Sequence, residues 1–131
     1  MIGIYIANNR MTRYADLCAR GYKRDETRNR DTLGKLVGQR VEIIRTGTKL
    51  GGGKYKPEII GCVTITGKRF CTREEFRTME NYNRHLIPPG SLYDCTGKGK
   101  WCYSLGDPVL YDEPKPLPEN RIMHGRVWCE Y

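Results

Sequence analysis

Between Gly21 and Asp31 the chain reads GYKRDETRNRD, a polar stretch whose one apolar member is Tyr22. If residues 24–30 are extended, strand alternation sets Arg24, Glu26, Arg28 and Arg30 on one side and Asp25, Thr27 and Asn29 on the other. Neither side can form an apolar core. A glutamate flanked by arginines can orient guanidinium forks toward a phosphate or a base edge. Lys23, with Glu26 close by, reads as a charged contact paired with that carboxylate. Composition alone leaves two alternatives level: a solvated connector, or a polar recognition site held by the fold.

The distribution of charge bears on which partner such a site would take. Lys and Arg total 23 against 15 Asp and Glu in 131 residues, a formal net charge of +8. Residues 1–56 hold 13 basic and 5 acidic side chains, and residues 57–131 hold 10 of each, so the whole excess lies in the first part. A one-sided positive field attracts phosphate backbones or acidic surfaces. RNA or another nucleic acid is therefore the expected partner, with an acidic protein as the rival.

Other chemistries find less support. The six cysteines, at 18, 62, 71, 95, 102 and 129, include no pair at the short gap that lets neighbours share a tetrahedral metal. No metal and no cofactor is expected, and the cysteines read as small buried hydrophobes. LGGGKY lacks the spacing of a phosphate loop, and Tyr55 stands where Ser or Thr would hold magnesium. His85 and His124 have no Ser or Cys at an activating spacing, and His85 reads as a group serving a helix end. The opening run IGIYIA is too short for a membrane span or a signal core, so no membrane association and a cytoplasmic location are expected.

Elements must hold the polar stretch in place. Ile2–Ala7 is β-branched and aromatic and predicts a strand. MTRYADLCARG predicts a short amphipathic helix capped by Thr12 and ended by Gly21, with Met11, Tyr14 and Leu17 or Cys18 on its inner face. Residues 39–46 and 57–66 predict strands joined by a glycine-rich hairpin tip over 47–56. Thr72 and Glu75 form the S/T-x-x-E capping box of a second helix, which continues through Met79 and Tyr82 toward Leu86 and stops at Pro88 and Pro89. Short strands are predicted at 100–105, 107–112 and 125–131, separated by glycine and proline turns. The expected architecture is a single α+β domain over 1–131, with a small, strongly bent mixed sheet or barrel and two or three short helices.

Gly21, Lys23, Glu26 and Arg28 fit the pattern G-x-K-x-x-E-x-R. With a strand and short helix before it and the strands GQRVEIIRTG and IIGCVTITG after it, this resembles the ASCH domain family of PUA-like folds. IPPGSLYDC and KWCYSLGDP extend the resemblance toward the small members found in phage and prophage settings. It covers residues 2–67 firmly and reaches 118 more loosely. The resemblance implies a PUA-like β-barrel, a cleft lined by Lys23, Glu26 and Arg28, and RNA binding or RNA-linked regulation. A related amidohydrolase branch, acting on acetylated cytidine, pairs the motif lysine with a threonine where this chain has Glu26. Thr27 is one position off and would point the other way in an extended segment.

The expected nucleic-acid contacts are Lys23, Glu26, Arg28, Arg30, Arg45, Lys49, Lys54 and Tyr93, with Arg40 and Lys56 flanking the same basic rim. Trp101 and Tyr103 alternate with Cys102 and are assigned to the core. If the protein is an enzyme, a hydrolase acting on a modified nucleoside or a ribonuclease, Lys23 and Glu26 are its candidate catalytic residues. The third alternative is a protein-interaction module of phage origin whose basic face docks an acidic protein.

Overall fold

The apolar runs identified above pair into one mixed sheet of seven strands in the computed structural model, which describes residues 1–9, 12–47, 53–54 and 56–131. The strands are β1 (Ile2–Asn8), β2 (Asp25–Arg28), β3 (Arg40–Gly47), β4 (Glu58–Thr72), β5 (Gly99–Pro116), β6 (Ile122–His124) and β7 (Trp128–Glu130). Their order across the sheet is β2-β5-β4-β3-β1-β7-β6, with β1 and β3 parallel and every other pair antiparallel. Met11, Lys49 and most of the expected hairpin tip (48–52 and 55) lie outside the described residues.

Strands β4 and β5 form the spine. The sequence breaks them into shorter pieces, but β4 runs on to Thr72 and β5 passes through Asp107 and Pro108 without a turn. Three register shifts between the two strands absorb the irregularity and bend the sheet, as bulges do. Asp107 sits at φ 47°, and its carbonyl accepts a hydrogen bond from Arg40, so the GDP segment is a kink within a strand. Gly61 lies where β5 comes closest: a Cβ there would stand 2.2 Å from the Val109 carbonyl oxygen.

The expected barrel is an open sheet. β2 is four residues long and pairs only with β5. Toward β1 it offers a side chain in place of a backbone ladder: the Arg28 guanidinium donates to the Tyr5 carbonyl at 2.8 Å. The unclosed seam between β1 and β2 is where the cleft lies.

Three short helices cover the sheet. In α1 (Tyr14–Ala19) the inner face of Tyr14, Ala15, Cys18 and Ala19 is buried. Thr12 does not cap it; the buried Asn8 side chain at the end of β1 accepts from the Ala15 N–H at 2.9 Å. Gly21 ends the turn at φ +83°, as expected. The Thr72–Glu75 capping box is formed, but it starts only α2 (Arg73–Phe76). Thr78 caps a separate α3 (Met79–His85), because its hydroxyl accepts from the Asn81 N–H and so competes with a continuous helix. Ile4, Val41, Ile43, Val63, Ile65, Phe76 and Tyr103 are among the fully buried core side chains, while Trp101 is half-buried. All six cysteines are buried, and burial pushes the Cys102 thiol up to about 12. Among the described residues no helix is long and apolar enough to cross a membrane.

Candidate functional site

The polar stretch is held in place by backbone pairing. After α1 the N–H groups of Tyr22 and Lys23 both return to the Leu17 carbonyl, at 3.0 and 3.1 Å. Arg24 then donates to the Arg84 carbonyl at the end of α3, and accepts from Leu105 of β5. Asp25–Arg28 follow as β2. Neither side of the segment was expected to form a core, yet Asp25 and Thr27 on one side and Glu26 on the other are all buried. They enter by saturating their polar groups.

On the helix side, Asp25 is fully buried and accepts from Arg69 of β4 at 2.6 Å and from Arg84 of α3 at 3.0 to 3.2 Å. Arg69 also donates to Asn81. Burial works to raise the Asp25 carboxyl, but the guanidinium hydrogen bonds outweigh it and hold the group below the ordinary aspartate range.

The neighbouring residue belongs to the cleft, which has a volume of about 320 Å³ and is walled by Tyr5–Ala7 of β1 and Glu26–Asn29 around β2. Glu26 accepts from the Thr27 N–H at 3.0 Å and from the Arg28 guanidinium at 3.2 Å. Two lysines form the floor. Lys23 is 1% exposed, donates to the His85 carbonyl and lies 5.0 Å from the centre of the Tyr14 ring. Lys100, at the start of β5, is 4% exposed, donates to the Tyr93 carbonyl at 2.7 Å and lies 5.7 Å from the Phe76 ring. Burial lowers the Lys100 pKa, and Lys23 adds to that while Glu26 works against it. Tyr93 packs edge-on against Tyr14, with ring centres 5.7 Å apart, and completes one wall.

His85 supports this floor from behind. Its Nδ1 accepts from the Ile87 N–H at 2.9 Å, so its Nε2 carries the proton and donates to the Phe76 carbonyl at 2.7 Å. The ring stacks on Phe76 at 3.9 Å. Burial lowers its pKa, and the neutral form fills both bonding roles. His124 is engaged elsewhere, stacked on Trp128 and paired with Glu130.

Of the residues singled out in the sequence, Lys23, Glu26, Arg28 and Tyr93 meet at the cleft, and Thr27 contributes to its wall. Arg30 and Lys54 are exposed outside it, and Lys49 lies outside the described residues. Arg45 is mostly buried and tied to Glu58 at 2.8 Å and Asp16 at 3.9 Å. Arg40 is committed to Thr64, Cys62 and the Asp107 carbonyl. Lys100 is a lining residue not singled out in the sequence. Its signal was the alternation of Lys100 with the buried Cys102, which points a lysine inward. Among the described residues no group of acidic, Cys and His side chains could hold a metal ion.

No protein-family model and no curated protein matches the chain. Solved structures do. The ASCH protein of Zymomonas mobilis superposes with a TM-score of 0.59 at 15% identity, over 88% of this chain and 73% of the other. Two single-substitution mutants of that protein give TM-scores of 0.62 at 16% and 14% identity, covering 86% and 88% of this chain and 72% and 76% of theirs. At such identity the likeness is one of fold: this chain has the α+β fold of the Zymomonas mobilis ASCH structures.

Proposed function

We propose that this protein binds RNA, with a nucleotide entering the cleft between β1 and β2 and the basic rim contacting the flanking backbone. One observation carries the reading: Lys23, Lys100 and Arg28 converge in the cleft against a single carboxylate, Glu26, and two of those cations are buried. Buried charge is costly unless it is paired, and an entering phosphate supplies the missing partner. Tyr93 and Tyr14 offer aromatic surface beside the cations, the combination that single-stranded nucleic acid sites use. The volume suits one nucleotide and excludes a duplex. A short single-stranded RNA titrated at several salt concentrations tests this. Affinity falls steeply with salt, and Lys23→Met weakens it about tenfold; salt-independent affinity, or a variant that binds as well as the parent, refutes the reading.

A second reading, a hydrolase acting on a nucleoside or on RNA, draws on Lys100. An amine whose pKa is lowered by burial is unprotonated more of the time than a surface lysine and so more available as a general base, although Glu26 works against the lowering. Under this reading Lys100→Ala abolishes turnover of a modified nucleoside or RNA while binding survives. Retained turnover removes Lys100 from the chemistry.

A further inference from the structure

The charge balance in the cleft is specific about the kind of phosphate it suits. Lys23, Lys100 and Arg28 carry three positive charges and Glu26 one negative, a surplus of two before the exposed Arg126 of the same lining is added. Asp25 cannot offset it, since its carboxylate is taken by Arg69 and Arg84. Nor can the backbone supply enough acceptors: among the described residues Lys23 Nζ has only the His85 carbonyl and Lys100 Nζ only the Tyr93 carbonyl, although an ammonium offers three donors. Arg28 Nε is also buried with no partner. Lys23, Lys100 and Arg28 line the same cleft.

The floor is closed below. The Tyr14 ring lies against Lys23, the Phe76 ring lies against Lys100, and both ammonium groups are almost fully buried. Asn29 and Arg126 are the exposed residues of the lining, and the cleft opens beside them. A phosphate within a strand has chain leaving it in two directions, which is harder to seat against two almost fully buried ammonium groups than a single link is. A phosphate at an end has one ester link, three further oxygens for three cations, and close to two negative charges at neutral pH.

We propose that the cleft recognises a terminal phosphomonoester, so that the protein grips RNA by a phosphorylated end. This rests on the RNA-binding reading, which it deepens by naming the group that reaches Lys23 and Lys100. The competing source of the same chemistry is a free mononucleotide, and the experiment separates the two.

Wild-type protein is titrated with one short single-stranded RNA in three forms: phosphorylated at the 5′ end, phosphorylated at the 3′ end, and with hydroxyls at both. A ribonucleoside monophosphate and the matching nucleoside serve as competitors. At least one phosphorylated form binds about tenfold tighter than the hydroxyl form, and the monophosphate competes where the nucleoside does not. Lys100→Met brings the forms to within about twofold of one another. Equal affinity for all three forms overturns the inference and leaves the RNA reading standing, provided binding is salt-dependent. Competition-competent monophosphate binding with no affinity for any RNA form does the opposite: the phosphate site stands and the RNA reading falls. The comparison among ligands uses unaltered protein, so a folding defect in the variant cannot mimic either result.

Discussion

Asp25 and Glu26 are adjacent carboxylates on one short strand, and each sits among more cations than it can neutralise. Around Asp25 the surplus is solvated, since the side chains of Arg69 and Arg84 are 35% and 29% exposed and share their charge with water. Around Glu26 it is not, because Lys23 and Lys100 are 1% and 4% exposed. The first arrangement joins β2, β4 and α3 and is complete as it stands. The second, under the proposed function, is completed by an entering phosphate. The difference between a structural ion cluster and a binding site therefore lies here in where the unpaired charge resides, and not in residue type.

Breaking the two clusters should have different consequences. Asp25→Asn has the largest effect on stability, about 2–3 kcal/mol by denaturant unfolding, below the cost of orphaning fully buried charges because both arginines reach water. The variant still binds RNA at temperatures where it is folded. Lys23→Met gives the reverse pattern: affinity falls about tenfold, while the midpoint of unfolding holds or rises, since a buried charge is exchanged for an apolar chain of similar shape.

Acid sharpens the contrast. His85 has a folded-state pKa lowered by burial, so the unfolded chain takes the proton first. Its contribution is full above about pH 6.5 and is lost as the pH falls below that. The Asp25 carboxyl is also held low, by Arg69 and Arg84 against burial, so its contribution is present above about pH 3.9 and is lost below it. Unfolding free energy measured between about pH 7 and pH 3 thus declines in two stages, and Asp25→Asn shrinks the lower one, to which Asp31, Glu42, Glu75 and Asp94, also held low by their hydrogen bonds, contribute the rest.

The smallest effects belong to the rim. Arg45→Ala lowers stability by less than about 1 kcal/mol through loss of its Glu58 pair and leaves the salt dependence of RNA binding unchanged. Lys54→Ala leaves stability unchanged and reduces the salt slope by about one charge. A flattened slope in the Arg45 variant would return that residue to the interface.

What the sequence disclosed follows from how local each cause was. The α1 terminus at Gly21, the Thr72 capping box and the strands β1 and β3 rest on residues a few positions apart, and all were legible. The break at Thr78 was not, because a helix pattern continues across it and only the hydroxyl's choice of partner divides it. The cap from Asn8 comes from the preceding strand, so a search among residues next to the helix found Thr12 instead. β5 was divided at Gly106–Pro108 because such residues usually turn the chain, whereas here Arg40 holds the kink from across the sheet. The cleft itself was half legible. Lys23, Glu26 and Arg28 are close in sequence, but Lys100 is brought to them only by the pairing of β2 with β5, and the open seam follows from β2 lying at the edge of the sheet, paired with β5 and not with β1.

The claim on which this account turns is that the cleft, and not the basic rim, receives the phosphate. A crystal structure with a phosphorylated single-stranded RNA tests it most directly. The account predicts phosphate oxygens within hydrogen-bonding distance of Lys23 Nζ, Lys100 Nζ and the Arg28 guanidinium; RNA bound along the rim with the cleft filled by water alone would contradict it.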